Sequence, residues 1–148
     1  MTPVTIYTDG SCSLHDKGRG GYGAVLIYNG VIKEIYGGYM FTTNNRMELT
    51  AVIKSLQSLK RPCKVIVHSD SKYVTDAINK RWFVKWQNRK FFNVKNSDLW
   101  QQLLHLITIH DVEFKWVKGH SGVEFNERAD ELATIGAHSE HMVHDTRC

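Results

Sequence analysis

The chain has 148 residues, of which 42% are hydrophobic and 23% are charged, and this composition predicts one globular domain with a core of ordinary size. No apolar run reaches the roughly 18 residues of a membrane span, and the first residues lack the pattern of a signal peptide. The three cysteines include no CxxC pair, so neither a disulfide framework nor a cysteine zinc site is predicted. We therefore expect a cytoplasmic protein without a membrane partner. The net charge of +4 is compatible with a polyanionic partner but is shared by many proteins that bind none.

The first part of the chain has the pattern of antiparallel strands. Residues 4–8 alternate and are β-branched, which predicts a strand that ends at Asp9, before Gly10. Residues 22–28 and 31–39 flank Asn29-Gly30, a dipeptide that favours the two-residue turn of a β-hairpin. We therefore expect three antiparallel strands.

The second part alternates between helical and strand patterns. Helices are predicted over residues 46–60, with an N-cap from Asn44 or Asn45, over a short segment capped by Ser71, and over 99–109 and 124–137. Strands are predicted over 64–69, which ends at Asp70, and over 112–117. Strands separated by helices pair in parallel, so the sequence predicts one α/β domain over residues 1–137 and a polar, mobile tail over 138–148.

Glu48 is an unusual residue in the first predicted helix. At 100° per residue it projects to the apolar side, together with Ala51, Val52, Leu56 and Leu59. The opposite side is polar and carries Arg46, Thr50, Lys54 and Gln57. Burial of a charged glutamate costs roughly several kcal/mol of folding free energy unless a cation pairs with it. Glu48 is therefore predicted to face a cationic ligand and not water.

Asp9 and Asp70 each close a predicted strand, at the edge where open α/β sheets bind ligands. If the two strands are parallel neighbours, the carboxylates lie about 5 Å apart, and a divalent cation would remove their repulsion. Either aspartate alone is equally compatible with a helix cap or a turn. Asp130 lies on the flank of the last helix among the small neighbours Ala133 and Ala137, which would let that flank approach the sheet, although taken alone it has the pattern of a surface residue.

Four carboxylates without clustered histidine or cysteine suit Mg²⁺ or Mn²⁺. Two such ions about 4 Å apart can activate a water and stabilise the leaving oxygen of a phosphodiester. The sequence therefore predicts a nuclease.

Two other features have alternative interpretations. His120 lies in a predicted loop where it could carry a proton, or be inert. The segment 80–95 interleaves six basic residues with aromatic ones, a pattern typical of nucleic-acid binding but also of an amphipathic helix with aromatic residues in the core.

Six stretches together resemble type 1 ribonuclease H, in order and at the spacing of that family. They are Tyr7-Thr8-Asp9-Gly10-Ser11-Cys12, Gly20-Gly21-Tyr22-Gly23-Ala24, Thr42-Thr43-Asn44-Asn45-Arg46-Met47-Glu48-Leu49, Ser69-Asp70-Ser71, Trp116-Val117-Lys118-Gly119-His120-Ser121-Gly122 and Asn126-Glu127-Arg128-Ala129-Asp130-Glu131-Leu132-Ala133. The resemblance covers nearly all of residues 4–137. The asparagine pair before Met47-Glu48 is the most specific part.

The resemblance implies a five-stranded mixed sheet flanked by helices, with three antiparallel strands followed by two parallel ones. It also implies a monomer that cleaves the RNA strand of RNA/DNA hybrids with two Mg²⁺ ions, for which Mn²⁺ is a possible substitute, leaving 5′-phosphate and 3′-hydroxyl ends. By carry-over, Asp9, Glu48, Asp70 and Asp130 are metal ligands and catalytic residues, and His120 assists proton transfer or product release. The implied substrate contacts are Cys12, Thr43, Asn44, Asn45, Lys85 and Trp86.

The chain departs from the family pattern at several places. Residues 13–18 replace a common Asn-Pro-Gly segment, Lys72 replaces a frequent glutamine, and Lys85 stands where a phosphate-pocket asparagine is frequent. Two other functions stay open: a DNA-cutting resolvase or integrase relative, against which Asn44-Asn45 argues, and a module that binds hybrids without cutting, against which the four carboxylates argue.

Overall fold

A computed structural model of the protein describes residues 2–13, 18–119, 122–140 and 142–145. The strands are β1 (Val4–Cys12), β2 (Gly20–Tyr28), β3 (Val31–Met40), β4 (Lys64–Ser69), β5 (Asp111–Trp116) and β6 (Val143–His144). The helices are α1 (Asn44–Gln57), α2 (Lys72–Asn79), α3 (Trp82–Asn88), α4 (Ser97–Ile109) and α5 (Glu124–Ala137).

The strands form one mixed sheet in the order β5-β4-β1-β2-β3-β6. β1, β2 and β3 pair antiparallel, and β4 and β5 add in parallel on the other side of β1, which confirms the predicted α/β class. The predicted number of five strands was one too low, because the two-residue β6 pairs in parallel with β3. Part of the segment expected to be a mobile tail is therefore held against the domain.

β1 is longer than predicted and does not end at Asp9. It stays paired with β2 as far as Cys12, opposite Gly20. Its parallel pairing with β4 ends earlier, where Thr8 lies opposite Ser69. Asp9 and Asp70 are thus the first residues beyond the last parallel pair, which preserves the predicted juxtaposition although Asp9 lies inside a strand.

The turn between β2 and β3 is the predicted two-residue hairpin. Asn29 and Gly30 both have positive φ, 48° and 78°, as the favoured hairpin turn requires. The register that follows places Gly23 opposite both Asp9 and Tyr36 across its two neighbouring strands.

The start of α1 differs from the prediction in two respects. Its N-cap is Thr43 and not an asparagine, since the Thr43 hydroxyl accepts a hydrogen bond from the Arg46 amide at 3.2 Å. Arg46 and Thr50, predicted on the polar side, are buried, and the Arg46 side chain is only 2% exposed. Acidic residues distant in sequence, Asp98 and Asp145, cover that side of the helix and pair with Arg46.

Helices pack on both faces of the sheet. One face holds the larger apolar cluster, which includes Ile6, Leu49, Val67, Trp100 and Leu103. The other face packs against α5 through a smaller cluster of Val25, Ala129 and Leu132. Among the described residues, no helix is long and apolar enough to cross a membrane.

The basic and aromatic segment contains only one short helix, α3. Trp86 is half-buried and its ring lies 5.0 Å from that of Trp100, so this aromatic side chain belongs to the edge of the core. Lys85 is exposed on α3, Arg89 caps the end of the helix, and Lys90 lies beyond it with a φ of 54°. The segment 80–95 is therefore not one continuous amphipathic helix, and of the three basic residues only Lys85 lies within α3.

Candidate active site

Three carboxylates lie close together where the parallel pairing of β1 with β4 ends. Oxygen atoms of Asp9 on β1, Glu48 on α1 and Asp70 after β4 all lie within 4.8 Å of one another. The Glu48 side of α1 packs on the sheet, and Glu48 is 5% exposed, so the predicted inward projection is confirmed. The arrangement is a compact set of oxygen donors just beyond the last parallel pair of β1 and β4.

The proximity of these groups disfavours their charged forms. Burial, followed by the charge of Asp70, raises the pKa of Asp9 to about 8, and Asp130 adds to the rise. Burial and the charges of Asp9 and Asp70 raise the pKa of Glu48 well above its ordinary value. At neutral pH the cluster therefore needs a bound proton or cation to offset its repulsion.

One oxygen of Glu48 accepts no hydrogen bond from the part of the chain that the structure describes. Oε1 is buried, and no described residue donates to it. In contrast, Asp9 Oδ1 accepts a hydrogen bond from the Gly10 amide at 3.0 Å. A buried carboxylate oxygen without a donor is costly, whereas a divalent cation between these carboxylates would satisfy it. The donor set therefore fits a divalent metal ion.

Two glycines let the flanking helices approach the site. A Cβ on Gly10 would lie 2.5 Å from the Glu48 amide nitrogen, so only glycine allows α1 to approach β1 this closely. A Cβ on Gly23 would lie 2.6 Å from the Ala129 carbonyl oxygen, in the turn of α5 that carries Asp130. Gly10, which the sequence predicted to begin a turn after Asp9, lies instead within β1. Neither close approach was predicted, although both glycines lie in motifs that resemble the family.

Asp70 is supported from β5 and from the segment that follows it. The Trp116 indole Nε1 donates to the Asp70 carbonyl oxygen at 3.0 Å, and Gly119 lies against the Asp70 carboxylate. Lys72 holds its ammonium group 4.9 Å from the centre of the Trp116 ring. This role of Trp116 could not be predicted from the sequence, since nothing in the pattern of a single strand indicates which carbonyl oxygen a side chain will reach.

Asp130 and His120 complete the predicted catalytic set. Asp130 is half-buried on α5 and close enough to Asp9 to raise the pKa of that carboxyl group, so it borders the group of three. His120 lies outside the described residues. The structure thus brings together three of the predicted metal ligands and places the fourth beside them.

The predicted substrate contacts lie on three different elements. Asn44 is exposed and Thr43 and Asn45 are half-exposed, all at the start of α1, one turn before Glu48. Cys12, at the end of β1, is half-buried with its thiol 3.4 Å from the Thr42 carbonyl oxygen. Lys85 and Trp86 lie on α3.

Comparison with known proteins identifies the family. The model of the RNase H family matches residues 1–138. The chain is 52% identical to ribonuclease H of Chromobacterium violaceum over 142 residues, covering 92% of this chain and 95% of that protein. It is 53% identical to ribonuclease H of Francisella philomiragia over 135 residues, covering 88% of each.

A solved structure agrees with the sequence relatives. The crystal structure of LC9-RNase H1, described as a type 1 RNase H with the type 2 active-site motif, superposes with a TM-score of 0.82 at 32% identity, covering 93% of this chain and 73% of that one. Sequence motifs, the mixed sheet and the cluster of carboxylates agree with these matches. The chain belongs to the ribonuclease H family.

Proposed function

We propose that the protein hydrolyses the RNA strand of RNA/DNA hybrids, with Asp9, Glu48, Asp70 and Asp130 as ligands of two Mg²⁺ ions when substrate is bound. The observation that carries the proposal is the buried Glu48 carboxylate, which has two further carboxylates within 4.8 Å and one oxygen to which no described residue donates a hydrogen bond. Hard oxygen donors of this kind suit Mg²⁺, and Mn²⁺ is a possible substitute.

The protein groups around the metal site would act by position and charge. Bound divalent ions supply an activated water and stabilise the leaving oxygen of the phosphodiester. As metal ligands, the three clustered carboxylates would be ionised. Without a cation this state is unfavourable, because the pKa values of Asp9 and Glu48 are raised. The Trp116 indole, by holding the Asp70 backbone, would fix that carboxylate in place. We assign to His120 the transfer of a proton to or from the reacting oxygens.

Recognition of the hybrid is proposed for the exposed start of α1. Asn44 and Asn45 offer amide donors and acceptors to base edges in the minor groove, and Thr43 offers a hydroxyl to a DNA phosphate. Glu48 would lie near the RNA 2′-hydroxyl, which distinguishes RNA from DNA. Cys12 would lie beside the RNA, and Lys85 and Trp86 would contact the DNA strand.

We further propose that the protein works as a monomer in the cytoplasm. The sequence has three cysteines and no CxxC pair, a pattern that is compatible with a reducing compartment.

The test is a comparison of three substrates with one sequence. The protein, in Mg²⁺, is given an end-labelled RNA/DNA hybrid, a DNA duplex and an RNA duplex. Cleavage of the RNA strand of the hybrid alone, with 5′-phosphate and 3′-hydroxyl ends, is the expected result. Cleavage of the DNA duplex would favour a resolvase-like or integrase-like activity, and binding of the hybrid without cleavage would favour a binding module.

A further inference from the structure

The C-terminal strap, defined as residues 142–145, is fastened to the segment that leads into α1. Val143 and His144 of the strap pair with Tyr39 and Met40, and the Asp145 amide donates to the Met40 carbonyl oxygen at 3.0 Å. The strap therefore continues the sheet up to the point where β3 ends.

Asp145 makes the most extensive contacts of the strap. Its carboxylate accepts hydrogen bonds from the Thr42 hydroxyl at 2.7 Å and from Arg46 at 2.6 Å and 2.9 Å. Its side chain is 8% exposed, so these hydrogen bonds are shielded from water and are stronger than they would be on an open surface. One carboxylate thus connects Thr42 and Arg46, which flank the segment 43–45.

The segment 43–45 is fastened on other sides too. The Thr42 amide donates to the Gly18 carbonyl oxygen at 3.0 Å, and the Thr42 carbonyl oxygen faces the Cys12 thiol. Arg46 forms a second bidentate pair, with Asp98 on α4 at 2.7 Å and 2.9 Å. Thr43, Asn44 and Asn45 are therefore the partly or fully exposed residues between two anchored ones.

We propose that Asp145 is a positioning residue that sets the orientation of Thr43, Asn44 and Asn45 toward the hybrid. The inference rests on the proposed function, in which these residues contact the substrate. Base-edge and phosphate contacts need their partners within about 0.5 Å of the productive geometry, and buried charged hydrogen bonds provide such rigidity. The role of the strap is thus to support recognition of the substrate, while the carboxylates perform the chemistry.

Asp145→Asn keeps the shape of the side chain and removes its charge. We expect the KM for hybrid, and its Kd measured in an Asp70→Asn background, to rise roughly tenfold, with kcat within about threefold of wild type. Affinity for a DNA duplex should change less, so the preference of the protein for hybrid over DNA duplex should fall. Thr42→Val, which removes one hydrogen bond to Asp145 and spares Arg46, should shift Kd in the same direction by a smaller factor.

Asp98→Asn is the matched control. It removes the other carboxylate that pairs with Arg46 and lowers stability, but it leaves the contacts of Asp145 with Thr42 and Arg46 intact. Both variants are assayed at the same interval below their own melting temperatures. Asp98 anchors Arg46 alone, whereas Asp145 also anchors Thr42, so a clearly smaller loss of affinity in Asp98→Asn than in Asp145→Asn supports the inference. Equal losses in the two variants, or no loss in Asp145→Asn, would overturn it.

Asn44→Ala and Asn45→Ala, measured in parallel, separate this inference from the proposed function. If either weakens hybrid binding while Asp145→Asn does not, the positioning role is wrong and the proposed contacts stand. If neither weakens binding, the assigned contacts are wrong and the inference falls with them.

Discussion

The backbone of Gly10 lies directly against the backbone of Glu48, so closely that a Cβ on Gly10 would be 2.5 Å from the Glu48 amide nitrogen and 2.5 Å from the Met47 carbonyl carbon. These are backbone atoms of a helix and cannot move aside individually. Gly10→Ala must therefore push α1 away from β1 and carry Glu48 away from Asp9.

We expect Gly10→Ala to lower turnover by about 10²-fold, because a displacement near 1 Å in a catalytic site has that effect. Overpacking should also cost about 1–3 kcal/mol of unfolding free energy. Leu56→Ala, in the buried part of the same helix, is the control. It should lose about 2–5 kcal/mol of unfolding free energy but keep wild-type turnover when it is assayed well below its melting temperature. Wild-type turnover in folded Gly10→Ala would show that the close contact does not position Glu48.

Asp70→Asn should abolish cleavage without destabilising the protein. The substitution removes a metal ligand but also a charge that raises the pKa of both Asp9 and Glu48. We expect turnover in Mg²⁺ to fall by roughly 10³-fold or more, and the melting temperature in chelator to stay level or rise. Asp111→Asn, at the exposed start of β5, is the control and should change neither the turnover nor the melting temperature. A melting temperature lower by many degrees in Asp70→Asn would mean that Asp70 is structural.

The pH dependence of metal-free stability follows from Asp9 and, in the same direction, from Glu48, whose pKa is also raised. Asp9 has a folded value that can be compared with the unfolded one. Its folded pKa, about 8, lies above the unfolded value near 3.8, so the folded state holds its proton more tightly. The resulting contribution to stability is complete below about pH 4 and is lost as the pH rises through about 8. His68 acts in the opposite direction, because burial lowers its pKa and favours folding as the pH rises.

The contribution of Asp9 is isolated by comparing wild type with Asp9→Asn, because both proteins retain Glu48 and His68. Denaturant unfolding in chelator should give a wild-type stability that falls from pH 5 to pH 8 relative to that of Asp9→Asn. Addition of Mg²⁺ should flatten the wild-type dependence, since the cation replaces the proton. A wild-type stability that rises with pH as steeply as that of the variant would contradict the raised pKa of Asp9.

The carboxylate cluster could be predicted from the sequence because each member obeys a local rule. Helical projection predicted the inward direction of Glu48, and the ends of two parallel strands predicted that Asp9 and Asp70 are neighbours. Arg46 was placed wrongly by the same projection, since its partners Asp98 and Asp145 are 52 and 99 residues away in sequence. β6 was missed for the same reason, because two residues have no detectable period and Asp145 is held by contacts with distant residues.

The exposed basic residues Lys85, Arg89 and Lys90 provide a test of the proposed DNA-strand contacts. Each phosphate contact steepens the dependence of log K on log salt by roughly 0.7 to 0.9. Their triple replacement by alanine should raise KM and keep kcat within a few-fold. The slope should flatten by roughly 1.4 to 1.8 if one of the three residues makes no contact, against roughly 2.1 to 2.7 if all three contact phosphates. We expect one residue to be silent because α3 ends at Asn88 and Lys90 lies off the helix.

The control for this prediction is a second triple variant with the same change of charge. Lys33, Lys60 and Lys64 line a cavity of about 770 Å³ on the side of the domain where α1 ends. Their replacement by alanine should leave the slope nearly unchanged. Equal flattening in both variants would reveal a general effect of charge, and an unchanged slope in the first would leave α3 as an ordinary solvated surface.

Glu48 is buried, with one oxygen that accepts no hydrogen bond from the described residues, and we propose it as a metal ligand of a nuclease that cuts the RNA strand of hybrids. Single-turnover cleavage of an end-labelled RNA/DNA hybrid in Mg²⁺ by wild type and by Glu48→Gln tests it most directly. We predict that Glu48→Gln folds, with a metal-free melting temperature at or above that of wild type, and that its cleavage rate falls by roughly 10³-fold or more. Cleavage by folded Glu48→Gln within about tenfold of the wild-type rate would contradict the account.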